Sequence, residues 1–255
     1  MFRILYSDTR KMIYDRSFHT CLLINIFYQF FSVLVLKLTN ILYPRIILYA
    51  DDVAFNFGSF SIFLIFASTL ITTASDYSDG CIRNKIISGA SRTSIYLSGA
   101  TCGLLHGVIH SMAACITSIL CNLIFSLKWN TYTVQEISDY WLIITLSCMA
   151  LGVFSTTLII VLGGHKSSYV IGLSIVIAMK ILSLDVLDKL YPEEGKCTLT
   201  GLKLDLYQFI EKYVPFLYTI VRPHFGFSTY MLGAGGLIII SLILGLVIFN
   251  RKEIR

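Results

Sequence analysis

The sequence predicts an all-α membrane protein with six transmembrane helices, and three observations carry that prediction. Of the 255 residues, 56% are hydrophobic and only 14% are charged, with a mean hydropathy of +0.75; a soluble domain carries about 25% charged residues. Six apolar runs reach the roughly 20 residues that cross a ~30 Å hydrocarbon layer. Basic residues gather in alternate loops, the pattern that orients a chain across a membrane. The net charge of +5 is small and scattered, so no nucleic-acid partner is expected, since that surface needs a clustered basic patch.

Residues 1–17 set Phe2, Leu5, Tyr6, Met12 and Ile13 among Arg3, Arg10, Lys11 and Arg16 at near-helical period. This predicts an interfacial amphipathic helix along the inner leaflet, in contact with membrane lipids. A disordered basic tail that only orients the chain is the alternative. The apolar run that follows is too long for the core of a cleavable signal. The transmembrane domain is expected over 18–249, with spans at 18–36, 53–73, 97–125, 140–162, 169–187 and 231–249. Placing the N-terminus inside brings Arg83, Lys85, Arg92, His165 and Lys166 inside, with Arg251, Lys252 and Arg255 of the 250–255 tail. The first outer loop offsets Lys37 and Arg45 with Asp51 and Asp52, and the next carries Lys128 alone. Both termini are therefore expected in the cytoplasm of a multi-pass cell-membrane protein. The last outer loop, 188–230, is too long for a plain connection. Its stretch LKLDLYQFIEKYVPFLYTIV spaces Phe209, Ile210, Tyr213, Val214 and Leu217 helically around Pro215, which predicts short amphipathic helices capping the outer face.

Between the second and third spans lies SDGCIRNKIISGASRTSIYLS, a polar basic break in a very apolar chain. Asp79 suits an N-cap, and two turns of helix can follow. Ile82 and Ile86 then share a face with Ile87 beside them, flanked by Arg83 and Lys85, and Gly89 suits a left-handed stop. Ser91 caps the next helix. The segment 79–89 thus reads as a short rigid helix on the membrane surface, with isoleucines and a cationic rim suited to docking on another protein. The alternative is a basic loop that serves topology alone.

Within the third span Gly99, Gly103, Gly107 and Ser111 recur every four residues. Such a stripe lets helix backbones approach closely in lipid, within the bundle or against a second copy. His106 and His110 stand one turn apart beside it. They lack the intervening glutamate and further ligand of a zinc site, so no metal is expected. Hydrogen bonding to neighbouring helices or lining a wet cavity fits them better, because ionisable groups in spans rarely face lipid. An intramembrane enzyme built on this pair would have no third ligand and no nucleophile. Asn25 and Gln29 share a face of the first span, with Asn56 and Asn122 elsewhere; all four suit interhelical hydrogen bonds, and Asn25, Gln29, His106 and His110 are candidates for lining a path. Lys180 and Asp185 stand toward the outer end of the fifth span. Seven cysteines, with no CxxC pair, predict no disulfide framework. Most, including Cys102, Cys115, Cys121 and Cys148, sit in apolar runs, while Cys197 lies in the long loop. The chain has no GxxxxGK[ST] phosphate loop, so it is not expected to be an enzyme or to hold ATP in that manner.

The run Gly80-Cys81-Ile82-Arg83-Asn84-Lys85-Ile86-Ile87-Ser88-Gly89-Ala90-Ser91-Arg92, followed by Tyr96-Leu97-Ser98, resembles the second-to-third loop of ABC-2 type permeases, the membrane subunits of a class of bacterial ABC transporters. There a G-x-I-R-N-K-x-x-x-G-x-S-R pattern precedes the third span. Where family members often carry a glutamate just ahead of the motif, this chain has Asp76 and Asp79. Outside this run the resemblance is one of layout. It implies that Asp79, Ile82, Arg83, Asn84, Lys85, Ile86, Gly89, Ser91 and Arg92 form a coupling helix against a separate nucleotide-binding ATPase subunit, which would bind the ATP and Mg. It also implies a dimer of permeases, homo- or heteromeric, exporting a peptide, an antimicrobial compound or another amphiphile by alternating access. A membrane sensor or immunity protein that binds a partner without transport is the alternative reading.

Overall fold

Asp15 alone separates α1 (Phe2–Tyr14) from α2 (Arg16–Leu42). Its backbone is extended and its carboxylate accepts from the Ser17 amide at 2.9 Å, so one residue ends the first helix and caps the second. The computed structural model describes residues 2–43, 49, 60–126, 132–163, 168–192, 197, 199–218 and 224–251. Expectations for 53–59, including Asn56, and for Arg45, Asp51, Asp52, Lys128, His165, Lys166, Lys252 and Arg255 lie outside them. The remaining helices are α3 (Ser61–Ser78), α4 (Cys81–Ile87), α5 (Arg92–Phe125), α6 (Val134–Leu162), α7 (Ser168–Leu190), α8 (Leu202–Tyr213), α9 (Pro215–Tyr218) and α10 (Phe227–Arg251). No strand occurs among the described residues.

Five helices, α2, α5, α6, α7 and α10, are long and apolar enough to cross a membrane, and the chain is an all-α, multi-pass membrane protein. The second expected span begins outside the described residues. Its described part, α3, has 18 residues and runs on to Ser78, a length of about 27 Å at 1.5 Å per residue. The helix α5 exceeds its expected span. Ser91 accepts from the Ser94 amide at 3.2 Å and starts it early, and its 34 residues extend about 51 Å.

The most buried span is α6, and α3, α5 and α10 all pack on it. It starts at a capping box in which Glu136 N–H donates to Thr133 Oγ1 and Thr133 N–H donates to Glu136 Oε2. Its contact with α5 is a backbone contact. A Cβ on Gly103 would lie 2.5 Å from the Gly152 carbonyl oxygen, and one on Gly107 would collide with the Cys148 carbonyl. Against α10 the tie is polar. Tyr96 Oη is 2.9 Å from Thr157 Oγ1 and donates to the Ser241 carbonyl at 2.9 Å, while its ring fills the space beside Gly245.

Two of the interior's apolar clusters bear on this arrangement. Ile82, Ile95, Tyr96, Val153, Ile160 and Phe249 join α4, α5, α6 and α10 at one end. Ile62, Phe66, Leu70, Leu151, Val176 and Phe216 join α3, α6, α7 and α9 toward the other. At that far end Val214 is extended ahead of Pro215 and splits α8 from α9. Tyr218 Oη donates to the Lys212 carbonyl at 2.8 Å, and buried Glu211 accepts from Tyr191 Oη at 2.8 Å and pairs with His224 Nε2 at 3.1 Å.

Candidate functional site

The segment between α3 and α5 is an elbow with a fixed turn at each end. Asp79 still belongs to the end of α3: its amide donates to the Ser75 carbonyl and its side chain accepts from Ser78 Oγ at 3.3 Å. The expected Asp79 cap is therefore absent. The chain reverses at Gly80, whose φ of 69° is left-handed, a conformation glycine adopts without steric cost. The helix α4 runs Cys81–Ile87 and has no side-chain N-cap. It ends in a Schellman motif, with Ala90 N–H donating to Lys85 O and Gly89 N–H to Ile86 O, both at 3.0 Å, and Gly89 at φ 87°.

The two faces of α4 differ from the expected docking surface. Ile82 is only 6% exposed and packs among Ile95, Tyr96 and Phe249, so it holds the elbow onto the bundle. Lys85 is 20% exposed and pairs at 2.5 Å with Asp8 of α1, so it is no rim cation. Ile86 is half-buried. The outward face consists of Arg83, Asn84, Ile87 and Ser88, with Ile87 73% exposed. Asp79 and Gly89 are also exposed at the turns.

Three ties make the elbow rigid. Asp8, 9% exposed, takes Lys85 on one oxygen and Ser98 Oγ on the other at 2.6 Å. Lys11 pairs with Asp76 and reaches Cys81 Sγ at 3.6 Å. Arg92 donates to the Phe249 and Asn250 carbonyls at 3.4 and 3.1 Å, where the end of α10 leaves carbonyls without helical partners. Together α1, α3, α4, α5 and α10 form one braced end of the molecule.

A polar seam continues inward from the braces. A cavity of about 40 Å³ is bordered by Asp8, Lys11, Asp76, Lys85, Cys102 and His106, and about 10–15 Å³ suffices for one water. His106 Nδ1 lies 2.9 Å from Ser68 Oγ, and the edge of Phe18 covers His106 and His110 at 5.0 and 5.7 Å between ring centroids. Deeper along α2, Asn25 donates to the His110 carbonyl at 3.0 Å and Gln29 to Ser118 Oγ at 2.7 Å. The four candidates for lining a path, Asn25, Gln29, His106 and His110, thus lie together where α2 meets α5. Among the described residues, no group of three His, Cys, Asp or Glu side chains comes together to hold a metal.

The small-residue stripe is less uniform than its spacing. Gly103 and Gly107 meet α6 backbone, whereas a Cβ on Gly99 would make only an ordinary 3.6 Å contact with Thr156. Ser111 is buried and donates to the Val108 carbonyl at 3.0 Å. Sequence reasoning passed over Asp8 and named Lys11 and Ser98 without their partners. A signal existed for Asp8: at helical period it falls on the same face as Met12, and an acid there needs a buried partner.

No family model matches the chain, and no curated protein matches it significantly.

Proposed function

We propose that the chain is a permease subunit of an ABC transporter, exporting a peptide or other amphipathic compound by alternating access driven by a separate ATPase subunit. The observation that carries this reading is the elbow: a braced helix inside the run 80–92, presenting Arg83, Asn84, Ile87 and Ser88 outward. A helix held at both turns and along its inner face moves with α3 and α5, so a push on its outer face reaches the bundle. Arg83 supplies a charged contact and Ile87 an apolar one. In this reading α3 is the sixth crossing, and the elbow end faces the cytoplasm. That orientation is supported by Arg3, Arg10, Lys11, Arg16, Arg83, Lys85, Arg92 and Arg251 gathering at one end, where the positive-inside bias puts them. At the opposite end Lys189, Lys203 and Lys212 are balanced by Asp185, Asp188, Asp205 and Glu211. The working unit is a dimer with two ATPase subunits that bind ATP and Mg. The polar seam with Asn25, Gln29, His106 and His110 is the candidate path lining.

Affinity purification from the native host should recover an ATPase whose turnover rises when this chain is reconstituted with it. Arg83→Glu/Ile87→Asp should abolish that rise while the protein remains folded and inserted. Recovery of a partner with unchanged turnover would favour a sensor, and normal coupling in the double variant would refute the role given to α4.

A further inference from the structure

We propose that the outward face of α1 binds anionic phospholipid headgroups of the leaflet beside it, and that this contact holds the elbow in place. Phe2, Arg3, Tyr6, Ser7, Arg10, Ile13 and Tyr14 are all exposed, and at 3.6 residues per turn they fall within an arc of about 140°. Phe2, Tyr6 and Ile13 form its apolar flank. Arg3 and Arg10 lie along its centre, and the Arg10 guanidinium stands 5.9 Å over the Tyr14 ring. This arc carries no acid. The single acid of α1, Asp8, is turned inward onto Lys85 and Ser98, and Lys11 is turned inward onto Asp76.

The division of charge is what selects the occupant. A helix facing water alone has no use for Phe2 at 86% and Tyr14 at 74% exposure. Aromatic rings interleaved with arginines suit the headgroup level of a membrane, where rings sink and cations stay with phosphate. A zwitterionic surface would accept the rings but leave Arg3 and Arg10 without net attraction. The link inward is direct, because Asp8, which ties α1 to α5 through Ser98, also holds the middle of α4 through Lys85. Headgroup binding to α1 therefore also restrains the elbow.

The test uses the full chain alone in nanodiscs, with hydrogen exchange read over α1 and α4. One set is phosphatidylcholine and the other equal parts phosphatidylcholine and phosphatidylglycerol. Each cation near an anionic surface contributes on the order of fivefold, so α1 exchange should slow about twentyfold in the anionic discs, with α4 slowing alongside. High salt should erase the difference by screening. Arg3→Gln/Arg10→Gln should abolish it, and Arg3→Lys/Arg10→Lys should keep it. Equal exchange in both lipids, or a difference that survives the glutamine pair, overturns the proposal. So does a face protected only after a protein partner is added, which would make it a protein-docking surface. No ATPase takes part, so this result stands or falls apart from the coupling reading.

Discussion

At Gly103 one added methyl group would fall 2.5 Å from the Gly152 carbonyl oxygen and 2.8 Å from Thr156 Oγ1. Gly103→Ala must therefore push α5 from α6, at a cost of about 1–3 kcal/mol by analogy with overpacked cores. Gly99→Ala, one turn earlier, should be close to neutral. Melting temperatures of the two variants in one detergent decide this, and equal shifts would contradict the assigned contact. Lys85 and Asp8 give a second pair of variants. Removing one partner of a buried ion pair leaves an uncompensated charge, whereas removing both is often tolerated. Lys85→Met should destabilise more than Asp8→Asn/Lys85→Met, with a difference of about 1–3 kcal/mol between them. Lys11, paired with Asp76, sets the pH dependence of a second brace. Burial acts to lower its pKa, but the hydrogen bond and charge of Asp76, with a contribution from Cys81, outweigh burial and raise it above 10.5. A base raised in the folded state gives its full stabilisation below the unfolded value and loses it as pH rises through the folded one. The brace should hold unchanged at neutral pH and weaken above pH 10.5; the melting temperature of Lys11→Met should lack that alkaline decline.

At the scale of the element, α4 has two faces that substitution separates. Ile82→Asp places a carboxylate among Ile95, Tyr96 and Phe249 and should detach the elbow, seen as rapid hydrogen exchange over 80–92. Ile87→Asp, at a position 73% exposed, should leave that exchange unchanged and remove only the coupling proposed for α4. If both variants loosened the elbow equally, the outward face would not be free for docking. The same element shows what sequence could and could not reveal. Ser91 and Gly89 were legible because a cap and a left-handed stop are decided by neighbours within a few residues. Asp79 was misplaced because Gly80, once left-handed, makes the turn and leaves Asp79 on α3. Lys85 was misread as a rim cation because its partner, Asp8, lies 77 positions away and no local rule pairs them. Ile82 and Ile87 both looked like docking residues, and only the packing of α5 and α10 decides which is buried.

For the whole molecule, the membrane class followed from composition, since no single core could cover so much apolar surface. The places of α2, α5, α6, α7 and α10 were legible as apolar runs, but each helix runs past its expected span because capping and packing, not hydropathy, set its ends. Less legible was the central place of α6, where Gly152 meets Gly103 and Ser147, Ser155 and Thr156 are all buried. These small and hydroxylated residues look unremarkable in a row, and their meaning comes from the helices around them. The candidate site lies on the elbow. Its position between α3 and α5 was visible, while the braces from α1 and α10 depend on contacts across most of the chain. Those braces are what the proposed lever role of α4 rests on. Photo-crosslinking from Ile87→benzoylphenylalanine, in membranes of the native host, tests the central claim most directly. A single adduct with an ATP-hydrolysing subunit, lost when the same group is placed at buried Ile82, is the expected result. Adducts with lipid alone, or with proteins on the opposite side of the membrane, would contradict it.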